Sequence, residues 1–204
     1  MFFKKLLYNL SMENLNENEK KKLFVISGSS GVGKGTVIKG FLDRNPSFSL
    51  SISYTTREKR EGEIDGVNYF YVSKDAFKES IHNNEFLEYA EFSGNYYGTK
   101  REFIQNSLNK HKDLILELDT QGALQVKEKM PEAVLIFIAP PSYQDLEFRL
   151  RNRNTESEEA ITKRLDFVKL EIRNSERFDY RIINDRVEDA VVKLEKIIKT
   201  ERAY

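Results

Sequence analysis

The sequence predicts an α/β protein in which a parallel sheet is covered on both faces by helices. Three short apolar segments, rich in β-branched residues, have the pattern of strands that are buried on both faces. Segments with helical periodicity separate them along the chain. The strand segments are residues 23–26, 113–119 and 133–139, and a shorter one follows at 180–183. Parallel strands end along one edge of a sheet, so we expect ligands to bind there.

Composition excludes several classes of function. The 204 residues suffice for one α/β domain with insertions, and 33 Lys and Arg balance 33 Asp and Glu, which disfavours nucleic-acid and membrane partners. No Cys is present, which excludes disulfides and thiolate zinc sites. The two histidines, His82 and His111, lack metal-ligand spacing and are expected at the surface. We expect a cytoplasmic protein, either a monomer or a weak homodimer.

Residues 1–22 are expected to form a flexible extension. They are rich in Asn and in charged residues, and Lys4 and Lys5 interrupt their apolar positions. A targeting segment is the alternative. The lack of Arg and the presence of Glu13 and Glu17 disfavour a typical transit peptide.

A phosphate-binding loop follows the first strand. Gly28, four intervening residues, Gly33 and Lys34 have the spacing with which backbone N–H groups surround an anion while the lysine reaches its terminal phosphates. The hydroxyl residue expected after the lysine is replaced by Gly35 and comes one position later, at Thr36. Direct Mg²⁺ ligation by Thr36 is therefore in question. The candidate phosphate ligands are Gly28, Ser29, Ser30, Gly31, Val32, Gly33, Lys34, Gly35 and Thr36.

The middle of the chain mixes polar loops with aromatic strands. Alternation of Phe48, Leu50 and Ile52 with serines predicts a strand with one face against the core. A polar loop then leads through Asp65-Gly66 into an aromatic strand. Further on, the pattern predicts a helix at 73–84, a strand at 86–92, a glycine-bounded turn in GNYYGTKREF and a helix at 100–109.

Helices dominate the remainder. A helix is predicted at 122–129, and Pro140-Pro141 ends the strand that follows. Helices are then predicted at 142–151 and 156–177, the second with Thr155 and Glu158 in capping-box spacing. A closing helix is predicted at 187–200.

From Leu23 to about Asn184 the chain resembles guanylate kinase, the nucleoside monophosphate kinase that transfers a phosphoryl group from ATP to GMP. The motifs follow the family's order: GSSGVGKGT, SYTTREKREGE, GVNYFYVS, EFLEYAEFSGNYYGT, ILELDTQG, IFIAPPS and RLRNRNTESEEAITKRL. The resemblance implies a P-loop NTPase-type sheet at 23–52, 111–139 and 165–204. It also implies a GMP-binding insertion at about 53–110, a helical lid at about 140–164, and a role in purine nucleotide metabolism.

The resemblance implies that the insertion holds GMP. Arg57 and Arg60 can bind a doubly charged phosphate bidentately, although without the resemblance they read as a solvated loop. The resemblance adds the Tyr69 and Tyr97 hydroxyls at that phosphate. Guanine presents the donors N1–H and N2–H₂ beside the O6 acceptor, so a carboxylate and a hydroxyl can recognise it. The family pattern assigns this to Glu88, Ser53 and Thr99, with Glu117 toward the base amino group.

The ATP side is implied in the same way. Arg153 and Arg164 would close on ATP phosphates with Arg149 in support, and Asn184 would lie beside adenine. Asp119 is the candidate for Mg²⁺-bound water, and Mg²⁺ is the expected cofactor. The implied catalytic residues are Lys34, Arg57, Arg153 and Arg164.

Two other functions remain open. Guanylate-kinase-like modules of scaffold proteins bind phosphopeptides at the GMP site, but they have degraded ATP loops, whereas Gly28, Gly33 and Lys34 are present here. The Gly-Lys-Gly-Thr ending also resembles adenylate kinase. Glu88 and Thr99 favour guanine over adenine.

Overall fold

The predicted parallel sheet forms the centre of the molecule. The computed structural model describes residues 22–92, 94–109, 113–151 and 158–203. The extension at 1–21, His111, Arg153 and Thr155 lie outside the described residues. Five strands of the described chain pair in the order β2-β7-β1-β8-β9, and every pairing is parallel. They are β1 (Leu23–Gly28), β2 (Ser49–Leu50), β7 (Leu114–Glu117), β8 (Val134–Ala139) and β9 (Tyr180–Ile183).

The two central strands, β1 and β8, are buried along their whole length. Alternate residues of β1 enter different cores. Phe24 and Ile26 pack with one core, which includes side chains of the first and last helices, whereas Leu23 and Val25 pack with the other. Two-sided burial explains why the strand is continuously apolar.

A second sheet of four strands lies in the stretch between β2 and β7, with the order β4-β3-β6-β5. Its strands are β3 (Tyr54–Thr55), β4 (Phe70–Tyr71), β5 (Phe86–Phe92) and β6 (Asn95–Lys100). The turn predicted for GNYYGTKREF was wrong over β6, which pairs antiparallel with β5. Gly98 suggested a turn, but in β6 it allows a close backbone approach: a Cβ there would lie 2.9 Å from the carbonyl oxygen of Glu88.

Helices cover the sheets at the predicted places. They are α1 (Lys34–Arg44), α2 (Lys74–His82), α3 (Arg101–Asn109), α4 (Thr120–Lys129), α5 (Tyr143–Arg151), α6 (Glu158–Asn174) and α7 (Val187–Arg202), and a 3-10 turn, Ser175–Arg177, follows α6. Ser73 caps α2 by accepting a hydrogen bond from the Ala76 N–H at 3.1 Å. Among the described helices, none has the length and apolar character needed to cross a membrane.

The strand predicted around Leu50 is shorter than expected. β2 contains Ser49 and Leu50, and Leu50 is exposed. Phe48 provides the anchor instead, because its buried ring meets Phe41 edge-on with 5.0 Å between ring centroids.

Replacing Gly28 by Ala should destabilise the fold. The added Cβ would lie 2.5 Å from the Ile138 carbonyl oxygen, so β1 and β8 would have to separate at the start of the phosphate loop. We expect the free energy of unfolding to fall by about 1–3 kcal/mol. At Gly35 the nearest atom to an added Cβ is 3.9 Å away, and Gly35→Ala should stay within about 1 kcal/mol of wild type. Equal stabilities of the two variants in urea unfolding would contradict the proposed crowding.

Candidate nucleotide-binding site

The phosphate-binding loop connects β1 to α1. Gly31 and Gly33 have φ angles of +86° and +87°, a backbone conformation that favours glycine. α1 begins at Lys34 without a side-chain cap. The first amides of any helix lack intrahelical acceptors, and here no N-cap side chain replaces them, so they present partial positive charge to an anion.

Groups from distant parts of the chain brace this loop. The N–H of Ser29 donates to the Ile138 carbonyl at 3.3 Å, and the side-chain amide of Asn184 donates to the Val32 carbonyl at 2.7 Å. Asn184 is 2% exposed. Its predicted place beside adenine stays a prediction, but its amide is already engaged with the loop. The N–H of Ser30 donates to the carboxylate of the buried Glu171 on α6 at 3.1 Å.

Lys34 points toward the carboxyl end of β7. Its Nζ donates to the Leu118 carbonyl at 2.9 Å and lies 3.9 Å from Oε1 of Glu117. Both contacts hold the ammonium beside the first turn of α1. Thr36, in that turn, is exposed.

A second group of residues, the Arg57 cluster, consists of Arg57, Tyr69 and Tyr97. It lies on the second sheet and in the loop between β3 and β4. Arg57 donates to Glu63 at 2.8 Å, and its guanidinium lies 5.6 Å from the ring centre of Tyr69. The Tyr69 ring is in turn 6.1 Å from that of Tyr97. The structure thus brings together three of the four residues predicted for a monophosphate. Arg60 is exposed, and its backbone N–H donates to Glu63 at 2.8 Å.

Glu63 holds this cluster in place. Its carboxylate accepts hydrogen bonds from Arg57, from the Arg60 N–H and from the Tyr71 hydroxyl. The Arg57 hydrogen bond is the largest cause that lowers the pKa of Glu63 to about 2, and the Arg60 amide adds to it. Glu63 is thus ionised at neutral pH and fixes the direction of Arg57.

Three of the four residues predicted to recognise the base also meet. The hydroxyls of Ser53 and Thr99 are 3.3 Å apart, and Thr99 pairs with Glu88 across β5 and β6. Glu88 is 4% exposed, and its Oε1 has no hydrogen-bond partner among the described residues. A buried acceptor of this kind is suited to a donor from a ligand.

Burial raises the pKa of Glu88 to about 7. Thr99 opposes this shift by hydrogen bonding, whereas the nearby charge of Asp119 adds to it. Gly122 lies between the two acids: a Cβ built on it would be 2.7 Å from Oε2 of Glu88 and 3.5 Å from Oδ1 of Asp119.

Two acids lie at the carboxyl end of β7, Glu117 within the strand and Asp119 just after it, and they face different groups. Glu117 lies 3.9 Å from Lys34, and its charge adds to burial in raising the pKa of Tyr69. Asp119 lies near Glu88 and caps α4, with its Oδ1 accepting from the Gly122 N–H at 2.7 Å. The resemblance implies that Glu117 serves the base and Asp119 the Mg²⁺-bound water, and both roles stay predictions.

The structure describes only some of the arginine side chains of the predicted lid. Arg149 and Arg164 belong to α5 and α6, but their side chains, like all of Arg153, lie outside the described residues. Arg151 pairs with Glu147 at 2.9 Å on its own helix and with Glu158 at the start of α6. It therefore links the two helices.

Sequence reasoning missed Glu63, Glu171 and Gly122. Glu63 and Gly122 stand inside quoted motifs, SYTTREKREGE and ILELDTQG, in which the neighbouring residues drew the attention. Glu171 looked like one more charge on a helix. Its contact joins positions 141 residues apart, which no local pattern signals.

The raised pKa of Glu88 predicts a pH-dependent stability. Between pH 4.5 and 7 the folded state retains a proton that the unfolded state has lost, so stability falls as pH rises through this window. Relative to Glu88→Gln, the wild type should lose about 2 kcal/mol of unfolding free energy between pH 5 and pH 8.

Glu85 provides the control. A hydrogen bond from Lys100 lowers the pKa of Glu85, so Glu85→Gln should show no such loss over the same range. Denaturant unfolding at several pH values measures both differences. A constant difference between wild type and Glu88→Gln would contradict the assigned pKa.

Known proteins resemble the chain along most of its length. The guanylate kinase family model matches residues 20–201. A guanylate kinase of Clostridium tetani is 50% identical over 184 residues, 90% of this chain and 88% of that protein. A guanylate kinase of Prochlorococcus marinus subsp. pastoris is 49% identical over 180 residues, 88% and 98% of the two chains.

A solved structure agrees. The crystal structure of guanylate kinase from Anaplasma phagocytophilum has a TM-score of 0.75 and 30% identity, and the match covers 92% of this chain and 89% of that one. The resemblance inferred from the motifs is confirmed by these comparisons. The chain belongs to the guanylate kinase family.

Proposed function

We propose that the protein is a guanylate kinase, which transfers the γ-phosphoryl group of ATP to GMP or dGMP and yields ADP and GDP or dGDP. The observation that carries this proposal is that the chain holds two sets of phosphate-binding groups. One is the phosphate loop with Lys34, and the other is Arg57, which Glu63 holds at 2.8 Å beside the Tyr69 ring. Two such sets suit a reaction between two phosphates.

The Arg57 cluster is proposed to hold the phosphate of GMP. A guanidinium matches two phosphate oxygens, and the hydroxyls of Tyr69 and Tyr97 supply further donors. Arg60 is proposed as the second arginine. Glu63 keeps Arg57 oriented before the substrate arrives, which lowers the entropic cost of binding.

Glu88 is proposed to select guanine. Its ionised carboxylate accepts from N1–H and N2–H₂, while Ser53 or Thr99 donates to O6. Adenine offers an acceptor at N1 and would leave the buried carboxylate without a partner. Asp119 and Glu88 both lie next to Gly122. Asp119 is therefore proposed to assist at the base amino group.

The phosphate loop and the lid are proposed to hold ATP. Lys34 and the first-turn amides of α1 bind its β- and γ-phosphates, and Arg153 and Arg164 close over them with support from Arg149. Asn184 supports the loop and, on the predicted assignment, borders adenine. Closure excludes the water that would otherwise hydrolyse ATP.

Mg²⁺ is the proposed metal. Among the described residues, no group of three or more acidic or histidine side chains could form a protein cage for a metal. This suits Mg²⁺, which typically keeps waters and uses one or two protein oxygens together with substrate phosphates. Glu117, beside Lys34, and Thr36, in the first turn of α1, offer such oxygens, whereas one Asp119 oxygen is used in the α4 cap. When bound, the ion neutralises charge on the phosphates.

The reaction requires no protein base. The GMP phosphate is largely ionised at neutral pH, and one of its oxygens forms a bond to the γ-phosphorus as the bond to the bridging oxygen of ADP breaks. Lys34, Arg57, Arg153 and Arg164 would align the two polyanions and offset their repulsion.

The domain boundaries predicted from the sequence are part of this proposal. Residues 53–110 would form the GMP-binding insertion and residues 140–164 the lid, with a flexible extension at 1–22. A cytoplasmic monomer or weak homodimer, without nucleic-acid or membrane partners, would suit a role in purine metabolism.

An ADP-release assay with ATP and each of GMP, dGMP, AMP and UMP tests the proposed function. We expect GMP and dGMP to be phosphorylated, and Lys34→Ala to lose most turnover with normal folding. Lys39→Ala is the matched control, because Lys39 lies on the same helix but is exposed and pairs with Asp43. If no monophosphate is phosphorylated, the phosphopeptide-binding module becomes the better reading.

Glu88→Gln tests base recognition. The amide has the same shape, but its NH₂ group opposes the donors of guanine. We expect the KM for GMP to rise about 10- to 100-fold, the range of a lost charged hydrogen bond. The KM for ATP should change less than threefold, and equal losses for both substrates would count against the assignment.

A further inference from the structure

Gly122 lies between Glu88 and Asp119, where a Cβ built on it would be 2.7 Å from Oε2 of Glu88. It lies in the first turn of α4 and is buried. Glycine is the poorest helix former apart from proline, so its presence there needs a reason.

Two ordinary reasons do not apply. The φ angle of Gly122 is not positive, so its backbone conformation is open to any residue. Its N–H donates to the Asp119 carboxylate that caps α4, but a backbone amide of any residue other than proline could do the same. What remains is the missing Cβ, whose place lies 2.7 Å from Oε2 of Glu88.

The helix cannot easily move away from Glu88. Two side chains of α4 bind the backbone of β5 on either side of that residue. Gln125 donates to the Tyr89 carbonyl at 2.9 Å and accepts from its N–H at 3.3 Å, and Lys129 donates to the Leu87 carbonyl at 2.5 Å. A side chain at position 122 would therefore displace the Glu88 carboxylate rather than the helix.

We propose that Gly122 is a specificity-determining positioning residue: by lacking a side chain, it keeps the Glu88 carboxylate in the place from which it meets the donor edge of guanine. This rests on the proposed recognition of GMP by Glu88. Gly122 itself makes no substrate contact in this scheme and acts through Glu88.

Gly122→Ala is the test. The variant should raise the KM for GMP by on the order of tenfold, with kcat and the KM for ATP within about twofold of wild type. A purely structural defect would not single out one substrate. Gln121→Ala is the matched control, since Gln121 is the exposed neighbour on α4, and it should leave all three constants unchanged.

A stability cycle separates this inference from the proposed function. In the wild-type background Gly122→Ala should lower the midpoint of thermal unfolding by several degrees, because of the clash. In a Glu88→Ala background the clash is removed, and the same substitution should be neutral or stabilising, since Ala is the better helix former. Failure of Gly122→Ala to fold alone, with rescue by Glu88→Ala, would support the steric coupling.

Two results would overturn the inference. One is an unchanged KM for GMP in Gly122→Ala, and the other is an equal loss of stability with and without the Glu88 carboxylate. If the wild type phosphorylates no GMP, the proposed function fails, whereas the stability cycle still decides whether Gly122 makes room for Glu88.

Discussion

The concentration of positive charge beside the carboxyl end of the sheet is the constraint on which the rest of the structure depends. Cations and amides that bind phosphate repel one another when no phosphate is there. In the part of the chain that the structure describes, three of these groups lie at carboxylates: Lys34 near Glu117, Arg57 at Glu63, and the Ser30 amide at Glu171. The balance of acidic and basic residues along the chain is thus also found among these phosphate-binding groups.

These carboxylates differ in what they do for the fold. Glu63 lies in the same loop as Arg57 and orders a short segment, so its contact costs little chain entropy. Glu171 comes from α6, whose first residues belong to the predicted lid, and accepts a hydrogen bond from the phosphate loop. A movement of α6 would therefore alter the loop through this hydrogen bond.

Much of the fold could be predicted because its signals are local. The apolar runs of β1 and β8 and the glycine spacing of the loop specify strand, turn and helix within a few residues. β6 was missed because Gly98 resembles a breaker, and its role as a close-contact residue depends on β5. The candidate site followed from motifs, but the different neighbours of Glu117 and Asp119 did not. Both residues lie at one strand end, and their neighbours come from different parts of the chain.

Burial of Glu88 disfavours the ionised carboxylate that the proposed recognition of guanine requires. A desolvated carboxyl group favours its neutral form, and with a pKa of about 7 a large share of the molecules carry that proton at neutral pH. A neutral carboxyl group can donate as well as accept, so it could pair with adenine as readily as with guanine. The ionised form accepts alone and suits the two donors of guanine. Binding of guanine would therefore favour the ionised form of Glu88. Discrimination against adenine should be sharper above pH 7 than below it.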